Sequence, residues 1–203
     1  MISAKSSRII RLIMALTMAV LVGALLTSCG ASRHYAKTET GKLSGDLELR
    51  WAKPDRFLFI PSETRPLTFV RSEESGGGTI IPGTMYTDGG SIPRPLRALR
   101  NYSPWGYASA FVVHDWLFHM QDCELPGYED YSLKEAAVVM SEVMKTMMED
   151  PSFDYGDKQT LYLMYLAVQT TPAKSAWDDK RCNQLPVGGD EIRWDAVIQI
   201  SFN

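Results

Sequence analysis

One stretch of this chain cannot be left at a surface. Ala110-Phe111-Val112-Val113-His114-Asp115-Trp116-Leu117-Phe118-His119 is apolar almost all the way round a helical wheel, so the helix it predicts is largely buried. It nevertheless carries an adjacent imidazole and carboxylate. On the wheel Asp115 falls between Ala108, Phe111 and Val112, and His114 lies beside Phe118. Burying such a pair is costly unless it is paired, hydrogen-bonded or bound to metal. The rest of the chain must therefore supply a core around this helix and a purpose for the pair. Asp115 and His119, four apart, share a face, which suits either a side-chain pair or two ligands of one ion. His114 and His119, five apart, diverge, so the spacing is not the His-x-x-x-His of zinc proteases.

The flanking sequence predicts what surrounds that helix. Leu47–Trp51, Arg56–Ile60, Leu67–Arg71, Thr79–Ile81 and Thr84–Tyr86 read as short strands. Turn residues separate them, among them Gly76-Gly77-Gly78 and Pro82-Gly83. After Pro93 the pattern becomes helical. Arg94–Arg100 reads as a short helix and Tyr107–Gln121 as a long one. Leu133–Glu149 follows behind a Ser132/Glu135 capping box, and Lys158–Thr170 is ended by Pro172. Met140, Met144, Met147 and Met148 fall on one stripe, which reads as core. Glu191–Phe202 alternates and is expected to return a strand to the sheet. The expected fold is α+β: a small antiparallel sheet followed by a cluster of three to four helices, in a single domain over residues 47–203. No internal repeat is present, and the Trp-Asp pairs at 177–178 and 194–195 form no propeller pattern.

The first 46 residues differ in kind. Lys5, Arg8 and Arg11 precede an uncharged apolar run, Leu12–Leu26, of 15 residues. That is short for a membrane span and right for the apolar region of a signal peptide. The run ends in Leu26-Thr27-Ser28-Cys29-Gly30, which resembles the bacterial lipobox. The resemblance implies removal of residues 1–28 and acylation of Cys29. The partner expected is then a membrane, reached through N-terminal lipid. Gly30 in place of Asp implies sorting to the outer membrane, with the body in the periplasm. Residues 29–46 are polar and without periodicity, and read as a flexible tether; His34 lies here and is assigned no chemistry. Composition supports these divisions. The whole chain is 45% hydrophobic and 22% charged, which excludes collagen-like and fully disordered classes. Its formal charge is −3, and its pI near 5.6 argues against a general nucleic-acid binder. Processing takes three basic residues and no acid, so the mature charge moves from −3 to −6. Nothing in the sequence names a protein partner. Cys123 and Cys182 remain as an even pair in an oxidising compartment and are expected to form a disulfide.

Chemistry is expected in two segments. Thr87-Asp88-Gly89-Gly90-Ser91-Ile92-Pro93-Arg94 can cradle an anion or present oxygens to a hard cation. Equally, Asp88 can close an Asx turn and Ser91 can cap a helix. Arg94, Arg97 and Arg100 share a face that suits phosphates or simply solvent. The second segment is the His114-Asp115 helix. Pro82-Gly83, the Thr87–Arg94 loop and Ala110 through Phe118 together resemble the uncharacterised phage and bacterial domain-of-unknown-function family 1353. Its pattern is strand–Pro-Gly–strand, Thr-Asp-x-x-Ser-Ile-Pro, then Ala-x-x-x-His-Asp-x-Leu-Tyr, with Phe118 here in the last place. That resemblance spans about residues 55–170 and implies a fold more than an activity. The loop and His-Asp helix are also similar to secreted phospholipases of the A2 type. By that similarity His114 is the base that activates water, and Asp115 and Asp88 are calcium ligands. This chain departs from them at Phe111, where they carry a half-cystine. It also carries Ala137 where an Asp would orient the His, and Glu142 lies more than a turn away. A Ser91–His114–Asp88 triad can be drawn as well, without the Gly-x-Ser-x-Gly elbow. Two readings follow. In one, His114, Asp115 and Ser91 form a hydrolase site, with or without calcium on Asp115 and Asp88. In the other, the same residues are a buried hydrogen-bond network in a binding or structural module.

Overall fold

The computed structural model describes residues 28–53, 56–87, 106–153, 156–182 and 197–202. In chain order these form α1 (residues 28–37), β1 (Lys42–Lys53), β2 (Arg56–Phe59), β3 (Thr68–Val70), β4 (Thr79–Ile80) and β5 (Met85–Thr87). Then come α2 (Ala108–Cys123), α3 (Leu133–Glu149), α4 (Lys158–Ala167), α5 (Thr171–Asp179) and β6 (Val197–Phe202). The fold is α+β in a single domain, as the sequence predicts. The proposed helix Arg94–Arg100 lies outside the described residues.

β1 is the spine of a curled antiparallel sheet. Lys42–Ser44 pair with β3, Gly45–Arg50 with β6, and Leu49–Lys53 with β2. Leu49 and Arg50 pair with both β2 and β6, so those strands lie on opposite edges. β4 extends the sheet from β3, and β5 extends it from β2. Strands β4 and β5 therefore do not form a hairpin across Pro82-Gly83. Alternation does the sorting: Leu43, Gly45, Leu47 and Leu49 are buried, and Ser44, Asp46 and Glu48 between them are only half-buried. The spine bends at Gly45, whose φ is +96°. A Cβ there would lie 2.1 Å from the Pro66 carbonyl oxygen, so only glycine permits β3 to pass this close.

The buried face meets α2 and α3. Seven consecutive residues of α2, Ala108 through His114, are buried, Ser109 and His114 among them, as a wheel that is apolar almost all round requires. Met140, Met144 and Met147 bury the stripe of α3 between α2 and α4, and Leu161 and Met164 complete it from α4. Each such side chain, taken out of water, contributes about 1.5–3 kcal/mol. Ser132 Oγ accepts from Glu135 N at 3.1 Å and caps α3. The other half of the capping box is diverted, because the Glu135 carboxylate pairs with Arg71 at 2.8 Å.

Two expectations change. Pro172 does not simply end α4, for it sits in the first turn of α5, behind the N-cap Thr170. A missing N–H costs nothing at that position. The stretch read as a flexible tether holds α1 and the start of β1. Ala31 is 2% exposed, His34 Nε2 lies 3.2 Å from Ser141 Oγ, and the His34 ring stacks 4.0 Å from that of Tyr165. Ala31 and His34, with Tyr35 packed against the core, dock this helix, and three such residues make no apolar period to announce it.

Candidate functional site

The site is built where the end of the sheet meets α2. Pro82-Gly83 approaches Trp116 so closely that a Cβ on Gly83 would lie 2.8 Å from the indole. This seats β5 across the helix and brings Thr87, itself buried, to Asp115. Thr87 Oγ1 donates to Asp115 Oδ2 at 2.5 Å. His114 Nδ1 lies 3.2 Å from the other carboxylate oxygen, Oδ1. One carboxylate thus joins the strand hydroxyl and the neighbouring imidazole.

The carboxylate accepts only, so Nδ1 carries the shared proton, and a neutral imidazole then presents a lone pair at Nε2. His114 is 4% exposed. Its Nε2 is buried with no hydrogen-bond partner among the described residues. The imidazole is fixed from the opposite side by Phe118, ring centroids 4.9 Å apart. Phe118 is met edge-on by Trp177, also at 4.9 Å, the buried residue of α5. The expected disulfide between Cys123 and Cys182 is formed, with Cα atoms 4.5 Å apart. It ties the end of α2 to the segment after α5, and so holds Trp177 over Phe118.

The remaining candidates divide. Asp88 and Ser91 lie outside the described residues, as do Arg94, Arg97 and Arg100. Asp115 and His119 do not pair. The His119 ring lies against Trp116 with Nδ1 3.7 Å from Cys123 Sγ, and burial lowers its pKa. Phe111 and Ala137 are core residues. Glu142 is committed elsewhere: its two oxygens accept from Arg71 Nε and a terminal guanidinium nitrogen at 2.8 and 2.9 Å. Among the described residues no three His, Cys, Asp or Glu side chains converge as a metal site would require. Cys29 is exposed near the start of α1.

Thr87 is the member of this cluster that sequence reasoning did not single out. A signal existed. Thr87 follows the predicted strand Thr84–Tyr86 and precedes Asp88, and a β-branched hydroxyl that extends a strand can face a helix buried beneath it.

The fold and the His-Asp helix define a small α+β domain with one carboxylate-oriented histidine. The chain belongs to the family described as Protein of unknown function (DUF1353), whose model matches residues 65–168. That span runs from the approach to β3 through α4, and it contains Thr87, His114 and Asp115. No curated protein matches the chain, and no solved structure does.

Proposed function

We propose that this chain is an envelope lipoprotein, cleaved before Cys29 and held by acyl chains on it, whose domain is a hydrolase with His114 as general base. The observation that carries the catalytic half is the split of the imidazole. Asp115 holds Nδ1, and Nε2 is left buried without a partner among the described residues. This supports a base that takes a proton at Nε2 from water or from Ser91, while Asp115 stabilises the imidazolium. The proton then passes to the leaving alcohol. Asp115 takes the orienting place that Ala137 cannot fill. Ser91 is four residues along the chain from Thr87, whose hydroxyl already meets Asp115. The substrate class is an ester or an envelope polymer.

Calcium fits this donor set in one respect. A carboxylate is the hard oxygen donor that calcium takes, so Asp115 with Asp88 would hold the ion. It would there polarise a carbonyl as a Lewis acid.

The localisation half rests on the lipobox and the short cationic-apolar leader. Labelling with a radioactive fatty acid tests it, and a Cys29→Ala chain that still takes up label would refute it.

The second reading, a structural network in a binding module, is favoured by the burial of His114 and by the bond from Thr87 to Asp115 that ties β5 to α2. His114→Ala separates the two. A hydrolase loses its turnover of ester, phospholipid or peptidoglycan substrates about a hundredfold or more, with little change in melting temperature. A network loses several kcal/mol of stability. Absence of hydrolysis by the parent protein, together with a sharp fall in Tm for the variant, would sink the enzyme reading.

A further inference from the structure

We propose that the domain lies directly against the bilayer that holds its acyl chains, with α1 and the outer side of α4 as the contact surface. This rests on the reading of Cys29 as the acylated residue. A mature charge of −6 gives no general attraction to an anionic surface, and a flexible tether of 18 residues would let the domain hang free. The structure replaces that tether with a docked helix.

Cys29 is exposed, and two residues later Ala31 is 2% exposed in the core. Two residues span at most about 7 Å, so the lipid must enter the membrane beside the protein surface. The helix is fastened along its length. A Cβ on Gly30 would lie 3.1 Å from the Tyr162 ring, so the chain abuts α4 one residue after Cys29. His34 lies on Tyr162 and Tyr165. Tyr35 OH donates to Glu149 at 3.1 Å, and Lys145 Nζ donates to the Thr38 carbonyl at 2.7 Å.

What this leaves outward suits a lipid headgroup layer. Ser32, Arg33, Ala36 and Lys37 are the exposed residues of α1 after Cys29, with two cations and no acid among them. Lys158, exposed, stands 4.8 Å over the Tyr35 ring. Leu166 is 43% exposed, one turn beyond Tyr162 on α4. Beside the acylated residue cations outnumber acids, since Glu149 is held by Tyr35 and Lys145 and Glu39 is exposed just past α1; with a tyrosine and an exposed leucine they form a local amphipathic face on an acidic body. That is the composition of a membrane-interface contact.

The test uses the full chain, processed and purified with its lipid. With Cys29 acylated and Cys123 bonded to Cys182, one introduced cysteine is the free thiol. Leu166→Cys and, at the far end of the β1–β2 hairpin, Arg56→Cys are labelled with bimane. Both are reconstituted into vesicles of phosphatidylethanolamine with a quarter phosphatidylglycerol, with and without nitroxide-headgroup lipid. We expect quenching about threefold or more stronger at position 166 than at 56, reduced when Arg33→Glu and Lys37→Glu are added. Equal quenching at both positions in a chain whose mass proves acylation overturns this inference alone. A mass without acyl groups overturns it together with the lipoprotein reading.

Discussion

Arg71 leaves the end of β3 and meets Glu142 and Glu135 on α3; Thr87 leaves the end of β5 and meets Asp115 on α2. Both clusters join the sheet to the helical layer, the first through the Arg71 guanidinium and the second through the Thr87 hydroxyl. The first is saturated. Arg71 is 6% exposed in its side chain and Glu142 2%, and the guanidinium answers two carboxylates with three contacts of 2.8 to 2.9 Å. The second is unsaturated, because the imidazole at its end has an unanswered nitrogen among the described residues. Burial alone therefore does not mark a site. The closed cluster clamps two layers; on the proposed reading the open one holds the base in place for a substrate.

The contrast breaks first at Glu142. If the Arg71 cluster is a clamp, Glu142→Ala leaves a buried guanidinium facing only Glu135. Removing one partner of a buried pair costs about 3–5 kcal/mol. Urea denaturation should show that loss, with the turnover proposed for the His114 cluster unchanged per folded molecule. A change in turnover without loss of stability would reverse the roles given to the two clusters. The Cys123→Ser, Cys182→Ser double variant comes next. The bridge spans a sequence separation of 59, for which about 2–4 kcal/mol is typical. Because α5 buries only Trp177, amide exchange should rise there before it rises in α3. Uniform exchange across both helices would show that α5 is held by something other than the bridge and Trp177.

Thr87→Val sharpens the open cluster. It removes the hydrogen bond from the Thr87 hydroxyl to the Asp115 carboxylate, about 1.5–3 kcal/mol, and loosens the carboxylate that orients His114. Thr87→Ser should restore both stability and turnover. If Ser restores stability but Val never lowered turnover, Thr87 braces the fold and does not position the base.

The two clusters also differ in how far the sequence reveals them. His114 and Asp115 stand out because an apolar wheel interrupted by charge is a local contradiction, visible within one helix. The bounds of α3 are equally local, set by Ser132 at one end and by the methionine stripe along its length. The partnership of Arg71 with Glu142 is not local. It joins residues 71 positions apart, and nothing around either one names the other; read by itself, Glu142 is an acid on a helix. The same limit hides α1. Its docking depends on Tyr162, Tyr165 and Ser141, all more than a hundred residues downstream, so its own polar composition reads as tether. Pro172 misleads for the opposite reason. A proline marks a helix boundary without saying on which side the helix lies.

The smallest expected effect tests whether an unanswered buried atom is by itself the mark of a site. Asp122 has one too: its Oδ1 is buried without a partner among the described residues. Its carboxyl is pushed up to about 6, by burial first and then by the nearby Asp179. Up to about pH 6 this group meets burial by keeping its proton. Between the ordinary aspartate value near 4 and about 6, the folded chain holds a proton that the unfolded chain has released. Stability from this group is therefore complete below pH 4 and falls as the pH rises through 6. The fall should be modest, since the side chain is only partly covered and solvent screens it. Asp122→Asn should flatten the pH dependence of Tm between pH 4 and 6 and leave turnover unchanged. A pH profile identical to the parent's would mean that Asp122 is ionised and answered there. The lack of a partner at His114 Nε2 would then lose its weight as the sign that separates an open cluster from a closed one.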